Sequence, residues 1–268
     1  MKTIKGIFVE AGHGMQGGVF DPGAIGTFTT ERKEVVEIAK ETVELLKNQQ
    51  DLRSVHVFDI GVQNNLDLSG KIAQIEDISR RYELTTDNSI LISIHVNAGG
   101  GTGVESWYYT GEEGRKLGNH IGAEMGHFTK LIYRGVKMDV FNRWGSLRIL
   151  RETTPLAILV ECGFIDTVRD HKILTDPTLD DNFAKGIVKG IMEYLGLRFS
   201  ELKYDMPTGD GFTDVKGDEW FASYIYAAMR EGLMTGYPDN TFRPAQNLTR
   251  AELAKVISLL LEKIKKDE

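Results

Sequence analysis

Short apolar runs alternate with amphipathic stretches over residues 1–197. This alternation is typical of an α/β layer fold, in which apolar runs form strands and apolar residues spaced three or four apart form helices. Phe183, Ile187, Ile191 and Leu195 recur at every fourth position and mark the buried face of one such helix. We therefore expect a twisted, mostly parallel sheet of about six strands flanked by helices.

The same pattern predicts the bounds of the elements. The predicted strands cover residues 4–10, 54–60, 90–94, 103–109, 146–150 and 156–161, and the predicted helices cover 31–48, 68–82, 112–131 and 178–195. The pattern lapses over residues 198–211, where SELKYDMPTGDG is polar and contains one proline and two glycines. Such a segment is typical of a linker. The expected domains are therefore 1–197 and a small all-helical module at 212–268.

Composition and net charge argue against nucleic-acid and membrane partners. The 268 residues are 41% hydrophobic and 26% charged, which is enough for one sizeable core and a smaller second one. A net charge of -7 argues against a nucleic-acid partner, because binding to phosphate backbones usually requires a clustered basic face. No apolar run approaches the roughly 20 residues of a membrane helix, so no membrane partner is expected.

The cysteine count and the first residues bear on the compartment. Cys162 is the single cysteine, which excludes an intrachain disulfide and fits synthesis in a reducing cytoplasm. Residues 1–9 contain only a short apolar run, followed at once by Glu10, and this pattern favours a first strand over a signal peptide. We expect a protein made in the cytoplasm without an export signal.

Polar side chains stand where three predicted strands end. His13 follows the first strand between Gly12 and Gly14, His95 ends a second strand, and Glu161 ends the last one. In open α/β sheets, ligands bind in the crevice beyond the carboxyl ends of the strands. These three side chains are therefore expected to converge.

A fourth candidate comes from a loop. The turn signature DPG within residues 17–30 lets this loop fold back beside the strand ends, and Thr30 is a plausible N-cap that places Glu31 in the first helical turn. Two imidazoles and one carboxylate form a recognised catalytic zinc shell with one open position. The residues alone leave a second reading open, in which both histidines are merely packed or solvated.

The ordered segments AGHG, DPGAIG, ERKEVVEIA, SIHVNA and LVECGF resemble the zinc-dependent N-acetylmuramoyl-L-alanine amidases of phage endolysins and sporulation autolysins. The resemblance covers most of residues 1–197. It implies that His13, Glu31 and His95 bind Zn²⁺ and that Glu161 is the catalytic acid/base. The chain departs from the family pattern in carrying Val35 where an asparagine is common.

The resemblance also implies the reaction. The expected substrate is peptidoglycan, and the expected bond is the amide between the lactyl group of N-acetylmuramic acid and L-alanine of the stem peptide. The expected setting is phage-induced host lysis, with a sporulation autolysin that opens the mother cell as the alternative. In either setting the protein acts on the bacterial cell wall after release.

Residues 212–268 resemble one S-layer homology repeat, through FTDV at the start and TRAE at Thr249–Glu252. The resemblance implies binding to a secondary cell wall polysaccharide. Candidate binding residues are Asp214, Trp220 and Arg250, of which Arg250 suits a ligand carboxylate and Trp220 suits either a sugar or the core. The family usually carries three repeats, so a single repeat is expected to self-associate, dock on the catalytic domain or bind weakly.

The sequence also allows alternative roles for two further groups of residues and two alternative protein classes. His120, Glu124 and His127 share a helix face that suits a metal or, more simply, solvent. Arg148 and Arg151 either hold stem-peptide carboxylates or lie on the surface. Two further classes are a wall-binding protein without catalysis and a glycosidase that uses Glu31 and Glu161, although the latter leaves both strand-end histidines without a role.

Overall fold

The computed structural model describes residues 3–139, 147–176, 179, 181–200, 212–216, 219 and 221–264. The chain forms two compact units, Met1–Glu201 and Leu202–Glu268. Among the described helices, none is both long and apolar enough to cross a membrane.

The first unit contains eight strands and six α-helices among its described residues. The strands are β1 (Gly6–Ala11), β2 (Gly14–Gln16), β3 (Val19–Asp21), β4 (His56–Ile60), β5 (Ser89–Asn97), β6 (Val104–Tyr108), β7 (Tyr133–Met138) and β8 (Leu156–Phe164). The helices are α1 (Glu31–Lys47), α2 (Leu68–Arg81), α3 (Gly111–Thr129), α4 (Arg148–Arg151), α5 (Val168–Thr175) and α6 (Asp181–Leu195).

Six strands form one sheet in the order β4-β1-β5-β8-β6-β7, and β2 pairs with β3 in a separate antiparallel hairpin. Within the large sheet, β6 and β8 are antiparallel, whereas the other pairs are parallel. This confirms the expected α/β fold with a mostly parallel sheet. The strand register brings His95 opposite Glu161, at the carboxyl ends of β5 and β8.

Helices cover both faces of the sheet. Ile7 and Val9 of β1 belong to the larger apolar cluster, which includes residues of α1, α3 and α6. Phe8 belongs to a second cluster, which includes Ile75 of α2 and Ile149 of α4. Successive residues of one strand therefore enter different cores, as the side-chain alternation of a strand requires.

Two features of the sheet differ from the sequence prediction. The predicted strand 146–150 is wrong, because Arg148–Arg151 form the helical turn α4, while residue 146 lies outside the described part. Ile149 and Leu150 are both buried, and a short apolar run of this kind does not distinguish a strand from a helix. The sixth strand is instead β7, whose polar residues Arg134 and Lys137 obscured it in the sequence.

The second unit contains α7 (Ala222–Arg230) and α8 (Arg250–Ile264). Val215, Ala222, Ile225 and Tyr226 form its small buried cluster. A reciprocal capping box begins α8, since the Thr249 amide donates to Glu252 Oε2 (2.8 Å) and the Glu252 amide donates to Thr249 Oγ1 (3.2 Å). Several apolar side chains of α8 are nevertheless about half exposed, namely Leu253, Ile257, Leu260 and Leu261.

Candidate metal centre

The predicted site lies where β1, β5 and β8 end, and the structure brings its histidines together. The rings of His13 and His95 meet nearly edge to face, with centroids 4.9 Å apart. Gly12 permits this approach, because a Cβ there would lie 2.6 Å from His95 Nε2. His13 itself has φ 61°, a left-handed conformation that costs a residue with a side chain about 1–2 kcal/mol.

Glu31 joins the two imidazoles through one oxygen. Its Oε1 lies 2.9 Å from His13 Nε2 and 2.9 Å from His95 Nδ1. Ligand atoms of the three side chains all lie within 4.8 Å of one another. In the described ranges of the chain, no other group of three His, Cys, Asp or Glu side chains converges in this way.

Backbone groups hold the Glu31 carboxylate in place. The Val96 amide donates to Oε1 (3.0 Å) and the Ala24 amide donates to Oε2 (2.9 Å). The backbone folds closely around the carboxylate at Gly23, where φ is 66° and an added Cβ would lie 2.7 Å from Glu31 Oε2. The DPG turn therefore supplies both an amide donor and the space that the carboxylate needs.

Asp21 is a site residue that the sequence analysis did not single out. Its Oδ2 lies 2.8 Å from His13 Nδ1, on the side of the ring away from Glu31. A carboxylate that holds the second nitrogen of a ligating histidine fixes the ring orientation and raises ligand basicity. Asp21 is the first residue of DPG, a sequence pattern that predicts a turn but does not indicate a hydrogen bond with a histidine.

Charge in this cluster favours a bound cation. Burial opposes ionisation of Glu31, but hydrogen bonds with His13 and His95 hold its pKa well below the usual range. Burial lowers the pKa of His13, yet Glu31 and Asp21 outweigh it and raise that pKa overall. Two ring nitrogens thus share an ionised, buried carboxylate oxygen. This donor set fits zinc, which prefers imidazole nitrogen and carboxylate oxygen in catalytic sites.

Glu161 lies in the same cleft. Its Oε2 is buried and has no hydrogen-bond partner among the described residues. Burial raises the pKa of Glu161 well above its usual range, and the negative charges of Glu31 and Glu105 add to this effect. An unpartnered buried carboxylate oxygen is unusual in a folded protein and is expected where a group must exchange protons with a substrate.

The cleft has a volume of about 950 Å³, and its lining includes His13, His95 and Glu161 together with residues of α2 and α4. Arg148 reaches its rim but pairs with Glu152 through two hydrogen bonds of 2.9 and 2.8 Å. Arg151 Nε lies 3.5 Å from Asp139 Oδ2. Both arginines thus have partners within the protein.

The helix face with His120, Glu124 and His127 does not form a metal cluster. His120 Nδ1 lies 3.5 Å from Glu193, and Glu124 pairs with Lys189 at 3.0 Å. These pairs join α3 to α6, whereas His127 is exposed.

The three candidate wall-binding residues differ in their surroundings. Asp214 accepts hydrogen bonds from the amides of Phe242 (2.8 Å) and Arg243 (2.7 Å), so both of its oxygens tie the loop before α8 to the start of the unit. Arg250 is exposed at the first turn of α8. Trp220 lies outside the described residues.

Comparison with protein families gives two matches. The family described as N-acetylmuramoyl-L-alanine amidase matches residues 7–193, and the S-layer homology domain matches residues 211–254.

Three relatives show the same division of the chain. The chain is 31% identical to the sporulation-specific N-acetylmuramoyl-L-alanine amidase of Bacillus subtilis over 196 residues, which covers 72% of the chain and 69% of the relative. It is 26% identical to the endolysin of Bacillus phage SPP1, covering 72% and 67% respectively. Cell surface glycoprotein 1 of Acetivibrio thermocellus is 42% identical over 65 residues, which are 24% of the chain and 3% of that protein.

Solved structures match the fold of the first unit. An N-acetylmuramoyl-L-alanine amidase from Clostridium difficile 630 superposes with a TM-score of 0.59 at 24% identity, covering 72% of this chain and 98% of that structure. The catalytic domain of the corresponding enzyme from Bacillus (Paenibacillus) polymyxa also gives 0.59 at 24% identity, covering 73% and 100%. At this level of identity the match concerns the fold.

Proposed function

The chain belongs to the N-acetylmuramoyl-L-alanine amidase family, and we propose that it cleaves the bond between N-acetylmuramic acid and L-alanine in a zinc-dependent reaction. One observation carries the proposal. His13 and His95 both contact the same oxygen of Glu31 at 2.9 Å, in a cleft that also holds the unpartnered Oε2 of Glu161.

In this proposal His13, Glu31 and His95 bind the metal. A bound zinc ion supplies Lewis-acid polarisation and brings the pKa of water toward neutrality. Asp21 keeps His13 Nε2 directed at the site by holding Nδ1. Glu31 contributes a charge that its backbone donors keep in place.

Glu161 moves the protons. Its carboxylate takes a proton from the attacking water and then donates it to the nitrogen of the leaving L-alanine, so that the amide is cleaved without a free amide anion. Burial supports this role, because it raises the pKa of Glu161 and so makes the ionised carboxylate a stronger base.

We further propose that residues 1–197 are the catalytic domain, 198–211 the linker and 212–268 a wall-binding module. The S-layer homology match supports association with the cell surface. Asp214, Trp220 and Arg250 remain the proposed contacts with a secondary cell wall polysaccharide. Asp214 also shapes the loop that carries Arg243, because its two oxygens accept hydrogen bonds from the amides of Phe242 and Arg243.

The single module is proposed to self-associate. Leu253, Ile257 and Leu260 lie at helical spacing on α8 and are 48%, 47% and 45% exposed. Exposure of these three apolar side chains to water is unfavourable, and packing of two modules against each other would bury them.

The proposed setting is phage-induced lysis, with a sporulation autolysin of the same chemistry as the alternative. Relatives with either printed role support both settings. Release of the protein from a lysing cell then delivers it to the wall.

Digestion of purified peptidoglycan tests the reaction. The zinc-loaded protein is expected to release new N-terminal L-alanine, identified by mass spectrometry, and the chelated protein is expected to release none. New reducing ends would instead indicate a glycosidase, and wall binding without any product would indicate a protein without catalysis. Equal activity after complete metal removal would refute the zinc mechanism.

A further inference from the structure

The turn that carries His13 directs three successive backbone carbonyls at buried cations. Lys71 Nζ donates to the carbonyl oxygens of Ala11 (2.5 Å) and His13. Arg32 Nη1 donates to the carbonyl oxygens of Ala11 (3.1 Å) and Gly12 (3.0 Å). Two helices, α1 and α2, thus each supply a cation that holds this short turn.

Lys71 is built into this arrangement. It is 2% exposed, and its third partner is Glu10 Oε1 at 2.7 Å. The other oxygen of Glu10 accepts a hydrogen bond from Ser93 (2.5 Å). A buried ammonium is very unfavourable unless it is paired and its donors are satisfied, and here three acceptors meet its three N–H groups.

Arg32 of α1 is the second cation at this turn. It is 4% exposed and directly follows the proposed ligand Glu31. Its Nη2 donates to the Asn64 carbonyl (3.3 Å), to Asn65 Oδ1 (3.2 Å) and to the Gly61 carbonyl. The guanidinium therefore connects the His13 turn to the loop after β4.

The turn needs such support because of its backbone conformation. His13 has φ 61°, a region that residues with a Cβ adopt rarely. Without the cations, the carbonyl groups of Ala11, Gly12 and His13 would lose buried hydrogen bonds that oppose relaxation of His13 toward an ordinary conformation. Such relaxation would move Nε2 away from Glu31.

We propose that Lys71 and Arg32 are positioning residues, which hold the Ala11–His13 turn in its left-handed form and thereby set the metal affinity of the site. The inference rests on the proposed function, since it takes His13 as a metal ligand. It adds that the affinity depends on two cations that do not themselves touch the metal.

The test measures zinc affinity of the full-length chain by competition with a chromophoric chelator. Lys71→Met together with Glu10→Gln removes the ammonium without leaving a buried carboxylate unpaired, and the glutamine oxygen can still accept from Ser93. We expect the zinc dissociation constant to rise about 10- to 100-fold, as it does when groups that orient metal ligands are removed.

Ile75→Ala is the matched control. Ile75 is fully buried on the same helix, one turn beyond Lys71, and belongs to the apolar cluster. This substitution should lower the melting temperature of the metal-free protein while leaving zinc affinity within about twofold of the parent. A purely structural role for Lys71 would make the two variants behave alike.

Arg32→Lys gives an independent measurement if circular dichroism shows that the double variant does not fold. It keeps a cation and loses the fork that reaches two carbonyls, so a several-fold weaker affinity for zinc is expected. Unchanged zinc affinity in a folded double variant, or in Arg32→Lys when the double variant does not fold, overturns the inference. A parent protein that binds no zinc overturns the proposed function instead.

Discussion

Glu105 lies directly opposite Glu161 where β6 pairs with β8. The Glu105 side chain is 3% exposed and accepts hydrogen bonds from Arg134 Nε (2.8 Å) and from Lys137. The proposed acid/base therefore has a second buried carboxylate beside it, whose charge is compensated by two cations of β7. Residues of the edge strand β7 thus affect the electrostatic environment of Glu161 through Glu105.

The first prediction concerns stability against pH. Burial opposes the ionisation of Glu105, but hydrogen bonds from Lys137 and Arg134 hold its pKa below the usual range. A carboxyl with a lowered pKa stabilises the fold above its unfolded pKa, and this contribution is lost as the pH falls through the folded pKa. Glu105→Gln should therefore destabilise the metal-free protein by about 1–3 kcal/mol at pH 7, as measured by urea denaturation.

The difference between parent and Glu105→Gln should shrink as the pH falls below about 4.3, the pKa of an unfolded glutamate, because the unfolded parent chain then takes up a proton before the folded carboxyl does. Glu112→Gln is the matched control, since Glu112 is an exposed carboxylate that also pairs with an arginine. Its effect should stay near zero at both pH values. A constant difference between parent and Glu105→Gln down to pH 3 would contradict this account.

The second prediction separates catalysis from metal binding. Glu161→Gln should retain zinc and lose about 10²- to 10⁴-fold in amide hydrolysis, because the amide side chain cannot accept the proton of water. His95→Ala should lose both zinc and activity, because it removes a ligand. Metal content is measured by atomic emission, and product release is measured by mass spectrometry. An active Glu161→Gln enzyme would contradict the proposed acid/base role of Glu161.

The third prediction concerns metal removal. Because the three proposed zinc ligands come from separate parts of the fold, bound metal should stabilise the native state of the first unit. At a free zinc concentration of 100 times the dissociation constant, linkage gives about 2.7 kcal/mol. Chelation should lower the melting temperature and abolish hydrolysis, and added zinc should restore both. Identical melting curves with and without chelator would indicate that the cluster does not bind metal.

The fourth prediction tests the space around Glu31. Gly23→Ala would place a methyl group 2.7 Å from Glu31 Oε2 and from the ring of His13, so zinc binding should be lost. Gly17→Ala is the matched control, because φ there is also positive but no atom lies within 4 Å of an added Cβ. The control should cost about 1 kcal/mol of backbone strain and keep zinc. Equal zinc binding by the two variants, measured by chelator competition, would show that close packing at Gly23 is unimportant.

The fifth prediction concerns association of the full-length chain. If modules pair through α8, Leu253→Lys with Leu260→Lys should convert an oligomer into a monomer, because two buried charges oppose packing. Glu262→Gln, on the same helix, should leave the molar mass of the assembly in solution the same as that of the parent protein. Light scattering after gel filtration measures both, and a monomeric parent protein would exclude self-association.

The large sheet was predictable because its central strands are apolar on both faces. A short apolar run precedes each of His13, His95 and Glu161, and the structure has a strand at each of these runs. The edge strand β7 was not predicted, since Arg134 and Lys137 interrupt its apolar pattern to reach Glu105. The hydropathy of a segment alone does not show that its polar residues form ion pairs with a residue on another strand.

Convergence of the site was predictable for a similar reason. Parallel strands end at one edge of a sheet, so His13, His95 and Glu161 were expected at the same edge. The structure adds that β5 and β8 are neighbours, with His95 opposite Glu161. The position of strand ends does not predict the contacts of Asp21 and Lys71. Their roles depend on the path of a loop and on a contact across 58 residues between Lys71 and His13, and neither is encoded in local periodicity.

Cys162, the neighbour of Glu161 in the chain, is completely buried on β8. Burial raises the pKa of its thiol well above the usual range, and the charges of Glu161 and Glu31 raise it further. Thiols react with oxidants and alkylating agents through the thiolate, which is scarce under these conditions. The single cysteine should therefore remain reduced in air, so that the protein can be stored without added reductant and can work outside a cell without oxidative inactivation at that position.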